Sequence, residues 1–394
     1  MTSSQDSSST ERLVAALVAA YILAEQDLLA GLTSIIRRTT PDLEGRQLLI
    51  VKARTLVRRI LNRLDARTAG VAVRMLDSAV RDGAAAAIAD VGSQVAVRLP
   101  STSGAGGGGA AGGDRWMRFG DEPFDLSMPH GERAAQAIRD DIVSELADVR
   151  TRITRLPDDV YKAIAPPHGA IYQVIDNDIT PAQAQAMAWR VFVSQGVTGF
   201  TDKSGRNWTL SAYVEMAVRT ASQRAFNDSH LARMQALGVE YFTVPDSGHP
   251  CPNCFPWQGR VLTVREIPNP TIHVDGTIAE AVAAGLFHPN CKHPLTAVFP
   301  GVTVLPEPRE WTAEDQRLYD LSQKQRRLEL DVRKAKRELE YAASPEAAVV
   351  ARAQIRRRQA KVREFVAETG FARQSRREQL DLTDARIKLP TPIR

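Results

Sequence analysis

Cys251-Pro-Asn-Cys254 and His288-Pro-Asn-Cys291-Lys-His293 are the two stretches on which the reading of this chain turns. They hold all 3 cysteines of the protein, and His249, His273, His288 and His293, four of its 7 histidines, lie in the same region. Thiolate and imidazole suit Zn²⁺, and a C-x-x-C knuckle offers two sulfurs from one tight turn. The second stretch adds Cys291 and one histidine to complete four ligands. His293 is the preferred fourth ligand, because Cys-x-His can present both groups from one extended strand. His288 is the alternative, or else a supporting group beside the ligands. The pattern therefore predicts a structural zinc held by Cys251, Cys254, Cys291 and either His293 or His288. Two other readings compete with it: cysteines that are ordinary small buried hydrophobes, and a catalytic Cys/His site. An odd cysteine count with no second C-x-x-C argues against a disulfide framework.

Working outward, Pro and Gly crowd both stretches, as in loops that must hold a fixed shape. Around them three runs read as short strands: residues 239–247, 259–264 and 295–299. They make a small α+β module, stapled by its metal because loops of this kind have little apolar area of their own. The rest of the chain reads as helix, since alanine, leucine, arginine and glutamate dominate it. The fold class expected is mainly α with a small α+β central module. An N-terminal helical hairpin or bundle precedes the module, and a C-terminal helical coiled-coil hairpin follows it.

Gly199-Phe-Thr-Asp-Lys-Ser-Gly-Arg-Asn-Trp208 and Ser211-Ala-Tyr-Val-Glu-Met-Ala-Val-Arg-Thr220 precede the two Cys/His stretches. In this order, with Cys251-Pro-Asn-Cys-Phe-Pro-Trp-Gln-Gly259 and His288-Pro-Asn-Cys-Lys-His293, they resemble the phage minor capsid protein 2 family. That family is related to the phage Mu F-like head morphogenesis proteins. The resemblance covers roughly residues 130–300. In the broader Mu F-like group the closing motif often reads His-Pro-x-Cys-Arg-Cys; here Lys292 and His293 stand at its end, which keeps a metal-binding side chain at the last position. The resemblance implies a minor virion component inside the phage head, next to the portal. It implies the portal protein and other head proteins as partners, synthesis in the bacterial host cytoplasm, and no known catalytic activity.

Composition frames this reading. A chain of 394 residues with 43% apolar and 25% charged residues has ample material for two or three domains. The net charge of +5 permits contact with nucleic acid without demanding it. The first ten residues are polar and serine-rich, and read as disordered with no secretory signal. The apolar run from Leu13 to Ala24 is short for a membrane span and reads as a buried helix, so no membrane partner is expected. A reducing cytoplasm keeps thiols available for metal.

Residues 11–100 read as an N-terminal helical domain. One helix covers 11–38 with Leu13, Leu17, Tyr21 and Leu28 on a face. One or two more cover 43–97, where Leu49, Ala53, Val57, Ile60 and Leu64 recur at three and four. Arg54, Arg58, Arg59 and Arg63 fall elsewhere on that surface. Residues 101–126 contain Ser101-Thr-Ser-Gly-Ala-Gly-Gly-Gly-Gly-Ala-Ala-Gly-Gly113, a flexible linker that would let the N-terminal helices sit apart. It lacks the Gly-Lys-Ser/Thr ending of a phosphate loop.

Residues 127–305 form the central domain. Ile138, Ile142, Leu146, Val149 and Ile153 make an apolar stripe that Pro166 and Pro167 break. A helix over 181–195 starts at Pro181 after Thr180. A long one from Leu210 stops at Gly238, with Glu215 and Arg219 paired at i,i+4. In an enzyme Asp202, Lys203, Arg206, Glu215 and Arg219 would be candidate site residues; with no nucleophile–base pair evident from spacing, they read instead as ties of a turn-like loop to that helix by hydrogen bonds and ion pairs.

Residues 306–394 form the C-terminal hairpin and tail. Leu318, Leu321, Gln325, Leu328, Val332, Ala335 and Leu339 alternate as a coiled-coil seam. Ser344-Pro345 restarts the helix, and Ile355, Val362 and Val366 return along it. Arg352, Arg356, Arg357, Arg358, Lys361 and Arg363 make one side basic, a candidate surface for sequence-independent contact with packaged double-stranded DNA or with an acidic protein surface.

Three function classes follow: a virion structural protein, a Cys/His metal-dependent nuclease using His249, His273 or His288 as base, and a zinc-stabilised DNA-binding protein. The nuclease needs an open coordination position on the metal. The regulator needs a recognition helix or repeated zinc modules, and neither is evident. With no phosphate loop, nucleophile elbow or acidic metal cluster, the chain reads as a non-enzyme.

Overall fold

The computed structural model describes residues 9–40, 42–96, 129–164, 181–195, 200–201, 207–246, 251–289, 291, 293–307 and 309–380. The glycine-rich stretch 101–126, residues 202–206, Pro166, Pro167, Thr180, His249, Lys292 and the tail beyond Leu380 lie outside them. The architecture is mainly helical with a small α+β module, as its sequence implies.

Three N-terminal helices come first: α1 (Ser9–Arg37), α2 (Leu43–Thr68) and α3 (Val71–Ala96). The α2 stripe is fully realised, with Leu49, Ala53, Val57, Ile60 and Leu64 at 3% exposure or less. Arg54, Arg58, Arg59 and Arg63 point to solvent. Asp42 caps α2 by accepting from the Gly45 amide at 2.7 Å. The break between α2 and α3 falls at Gly70, whose φ of +65° suits glycine. In α1 the core face is Val14, Leu17, Tyr21 and Leu28, while Leu13 is only half-buried. By length and apolarity α1 could cross a membrane, contrary to the shorter run read from the sequence, but more than half of its apolar stretch is packed inside the protein.

Helix α4 (Pro129–Ile164) carries the predicted stripe past Ile153 to Leu156, Val160 and Ile164, all buried. It runs through Pro157 without ending. A proline inside a helix costs about 3 kcal/mol, and burying Leu156 and Val160 on either side returns about 1.5–3 kcal/mol each. The helix ends at Ile164, just short of Pro166. Then come α5 (Pro181–Ser194), a hairpin of β1 (Phe200–Thr201) and β2 (Asn207–Trp208), and α6 (Leu210–Ala236). Thr209 caps α6, Gly238 follows its end at φ +83°, and the Glu215–Arg219 pair forms at 2.6 Å.

The expected separation of N-terminal and central domains is not what the chain builds. Side chains of α1 to α6 form one continuous core, with Trp189 of α5 and Val214 and Val218 of α6 packed among those of α1 and α2. The reason is a close crossing of α3 and α6. The run Gly83-Ala-Ala-Ala-Ala87 lets α3 press onto α6 so tightly that a Cβ at Gly83 would lie 2.3 Å from the Phe226 carbonyl oxygen. Apolar faces that match bury one another even when the segments that carry them are far apart in sequence.

The module is a four-stranded mixed sheet in the order β5-β4-β3-β6: β3 (Tyr241–Thr243), β4 (Leu262–Thr263), β5 (Gly276–Thr277) and β6 (Thr296–Val298). The three predicted strands are present. Strand β5, parallel to β4, is too short to show in a hydropathy pattern. It leads into α7 (Ile278–Ala283) through a capping box between Thr277 and Glu280.

Helices α8 (Ala313–Glu340) and α9 (Pro345–Thr369) form the C-terminal hairpin, capped by Thr312 and Ser344. The seam differs from the expected coiled coil. Val332 and Ala335 are buried, but Leu318, Leu321, Leu328 and Leu339 are only half-buried. The fully buried α8 residues include Gln325, Glu329 and Glu338. Neighbours outside the hairpin cause this. Residues after α9 fold back so that Gln325 donates to the Ala372 carbonyl, Arg377 faces Glu329, and Arg190 of α5 pairs with Glu338 at 2.7 Å.

Candidate metal centre

Both Cys/His stretches sit on loops of the module. The first follows β3 and closes as a tight turn, in which the Cys254 amide donates to the Cys251 carbonyl at 3.2 Å. Phe255–Trp257 continues it as one turn of 3₁₀-helix. The second stretch lies between α7 and β6 and closes the same way: the Cys291 amide donates to the His288 carbonyl at 2.8 Å. Both turns read X-Pro-Asn-Cys. This internal repeat is present in the sequence but masked there, because Cys251 and His288, its first residues, are different types.

The folded chain brings all five predicted ligands together. Their donor atoms form two triads within 4.8 Å, Cys251–Cys254–His288 and Cys254–Cys291–His293, sharing Cys254. The Cys251 sulfur lies 3.1 Å from His288 Nε2, the Cys254 and Cys291 sulfurs 3.6 Å apart, and the Cys291 sulfur 3.4 Å from His293 Nδ1. A tetrahedral ion with thiolate and imidazole ligands holds neighbouring donor atoms about 3.5–3.8 Å apart. Cys254, Cys291 and His293 are buried, while Cys251 and His288 are half-buried at the rim.

The two histidines differ in what their second ring nitrogen meets. His288 Nδ1 lies 2.9 Å from the Pro289 carbonyl oxygen. His293 Nε2 lies 2.8 Å from Gln258 Nε2. The His293 backbone amide also donates to the Cys291 sulfur at 3.5 Å. The cluster's electrostatics favour thiolates at its edges. Hydrogen bonds from the Cys254 thiol, and then from His288, push the Cys251 thiol well down. Contacts with Cys254, and then His293, do the same for Cys291. Cys254, between them, is pushed up by its two sulfur neighbours and by burial. The hydrogen bond to Cys251 raises His288 to about 9.

Apolar contacts seat the cluster. Cys254 and Cys291 share a core with Phe242, Leu262, Leu286 and Leu295, and with Ala87 and Val91 of α3. Asn227 of α6 donates to the His293 carbonyl at 3.3 Å. On the far side the Arg309 guanidinium stacks 4.5 Å over the Phe255 ring, and Trp311 meets the same ring edge-on. The knuckle thus touches the segment that leads into α8.

Among the described residues, the other candidates lie apart from this cluster. His273 is exposed and faces Asp275 at 3.7 Å. His249, like Asp202, Lys203 and Arg206, is outside the described residues. On α9, Arg352, Arg356, Arg357, Lys361 and Arg363 are exposed along the hairpin. Arg358 is different: it is half-buried and donates to the Asp331 carbonyl of α8 at 2.7 Å.

The sequence model of the family described as Phage minor capsid protein 2 matches residues 130–367, from α4 through the Cys/His module to the end of α9. A "Structural protein" of Lactococcus phage LL-H is 30% identical over 187 residues. That alignment covers 44% of this chain and 49% of the relative, so the chain spans about half the relative's length. No solved structure matches with significance.

Proposed function

Because the chain belongs to the phage minor capsid protein 2 family, we propose that it is a head component of the virion, seated inside the shell beside the portal, where the outer face of α9 meets packaged DNA. Family membership carries the reading, since the matched region takes in the stapled module and the C-terminal hairpin together. The basic face supports the DNA side. From Arg352 to Arg377 the chain has nine basic residues against Glu364 and Glu368, and the arginines on α9 other than Arg358 are exposed where a polyanion could reach them. Contacts of this kind read charge and not sequence, which suits a protein that meets whatever DNA is packaged.

The nuclease alternative gains no support from the cluster. A catalytic zinc keeps three protein ligands and one position for water. Here sulfur dominates the donor set, two of the three sulfurs are buried, and the five donors fall into two triads that share Cys254.

Co-purification tests the portal reading. Heads and portal complexes from infected cells, separated by density gradient, are expected to carry the protein at a fixed ratio to portal subunits, and cross-links should join it to them. Recovery only in free, soluble fractions would overturn the placement.

A further inference from the structure

We propose that the paired X-Pro-Asn-Cys turns form one tetrahedral structural zinc site with Cys251, Cys254, His288 and Cys291 as its ligands, and that His293 supports Cys291 without touching the metal. The reading from sequence alone prefers His293; the pairing of the two turns and the Pro289 carbonyl behind His288 favour the other histidine.

The first argument is symmetry. Each turn presents its first and fourth residue on one side of an i to i+3 hydrogen bond. Cys251 and Cys254 leave the first turn as a pair, and His288 and Cys291 leave the second in the same relation. Two such knuckles facing each other offer four ligands, the coordination of a structural zinc, once the Cys251–Cys254–His288 triad closes onto Cys291, which lies beside Cys254. The contacts across the gap join first residue to first (Cys251 to His288) and fourth to fourth (Cys254 to Cys291).

The second argument is what holds each ring. A carbonyl oxygen only accepts, so the Pro289 contact takes the N–H of His288 Nδ1 and leaves Nε2 as the nitrogen that faces the cluster, 3.1 Å from the Cys251 sulfur. A metal-bound histidine usually has this arrangement, with the far N–H held by a carbonyl. His293 has no such carbonyl among its ring contacts: Nε2 meets the side-chain amide of Gln258, and Nδ1 lies against the Cys291 sulfur. The His293 backbone amide donates to that same sulfur. Donors to a ligating thiolate hold its negative charge and orientation, which is the work of a group behind the ligand.

The metal itself follows from the donors. Three sulfurs and one imidazole are a soft, closed set, suited to Zn²⁺ and to Co²⁺ as its spectroscopic substitute. With four protein ligands no position stays open for water, so the site's task is to hold the module. Phe255, next to Cys254, carries Arg309 and Trp311 on its ring. Fixing this knuckle also fixes where the chain enters α8.

The test is made on the isolated full-length chain, so it does not depend on the placement beside the portal. Protein purified without chelator should contain about one zinc per chain by elemental analysis. Replacing zinc by Co²⁺ should give tetrahedral d–d bands and a sulfur-to-cobalt charge-transfer band of three thiolates. H293A should keep stoichiometric metal and the same band shape, with affinity about 10–100-fold weaker. H288A should lose the tetrahedral spectrum. H288C should restore it, with charge-transfer intensity raised in proportion from three sulfurs to four. H288C also decides the matter if H288A fails to fold. Zinc far below one per chain in the wild type would overturn the site. Loss of metal in H293A, with unchanged sulfur intensity in H288C, would overturn the ligand assignment.

Discussion

The carboxylate of Asp90, near the end of α3, accepts a hydrogen bond from the Ala297 amide of β6 at 2.8 Å. Gln94, one turn later, donates to the Ala297 carbonyl at 2.9 Å. Strand β6 is the edge of its sheet, and the two side chains bond both polar groups of one residue as a neighbouring strand would. Gln94 also accepts from the Thr303 hydroxyl at 2.6 Å. Burial pushes the Asp90 carboxyl up, and its two hydrogen bonds hold it down only in part. The N-terminal helices are therefore bonded into the Cys/His module.

Asp90→Ala should cost about 1–3 kcal/mol, because it leaves a buried amide without an acceptor. Urea denaturation of wild type and variant measures it. A midpoint unchanged within error would mean that the edge of β6 is not held from α3.

The α3–α6 crossing makes an opposed pair of predictions on one helix. Gly83→Ala puts a methyl group 2.3 Å from the Phe226 carbonyl oxygen, a backbone atom that cannot swing aside. It should destabilise the protein by about 1–3 kcal/mol. Gly92→Ala, on the same helix, meets nothing within 4 Å. It should stabilise by about 0.5–1 kcal/mol, as alanine does in place of an exposed helical glycine. Thermal melts of the two variants should move in opposite directions, and a shared direction would refute the crossing.

His230 of α6 is 2% exposed and stacks on Phe226 with ring centroids 5.7 Å apart. Burial lowers its pKa from 6.5 to about 4. Below 6.5 the unfolded chain takes up a proton that the folded chain refuses, so stability should fall as pH drops from about 6.5 to about 4 and level off beneath that. The share due to this one group is up to about 3 kcal/mol. His230→Leu should flatten that part of the stability–pH curve. Parallel curves for variant and wild type would assign the acid sensitivity elsewhere.

The hairpin's turn is pinned to the helical body. Trp189 donates its indole N–H to the Tyr341 carbonyl at 3.0 Å, Arg37 donates to the Ala342 carbonyl, and Arg190 pairs with Glu338, which is 3% exposed. Glu338→Ala should cost about 3–5 kcal/mol by leaving Arg190 without its partner. Arg190→Met combined with Glu338→Leu should recover most of the loss, since an apolar pair of similar volume has no charge to desolvate. A double variant as unstable as the single one would show that the pair's charge is indispensable.

Much of this was legible in the sequence because it is local. Leu49 to Leu64 on α2 and Ile138 to Ile153 on α4 repeat at helical spacing, and a repeating apolar stripe must be covered by something. The Cys/His cluster was legible because three cysteines and four histidines share one short region. What covers each stripe depends on partners far along the chain. Asp90 and Ala297 are separated by 207 residues, and nothing local to either marks them as a pair. The α8 seam failed for the same reason. Glu329 and Glu338 look like solvated positions until Arg377 and Arg190 arrive from other segments. The proposed choice of His288 over His293 rests on the paired turns and on the Pro289 carbonyl, contacts that spacing alone does not encode.

The α9 surface carries the prediction closest to the virion. Arg352, Arg356 and Arg363 are exposed, whereas Arg358 is tied to the Asp331 carbonyl and belongs to the hairpin's own structure. Replacing the first three by glutamine removes charge while keeping helix propensity and leaving that tie intact. If these arginines neutralise phosphates, binding of the full chain to double-stranded DNA should fall steeply with salt. The triple variant should flatten the slope of log affinity against log salt by up to about 0.9 for each phosphate left without its arginine. Arg358→Gln should instead lower the melting temperature and leave the slope nearly unchanged. Measuring both variants across a salt series, with two unrelated DNA sequences, separates electrostatics from folding and from sequence reading. An unaltered slope in the triple variant would remove DNA from the account of this face and leave α9 as a surface for head proteins.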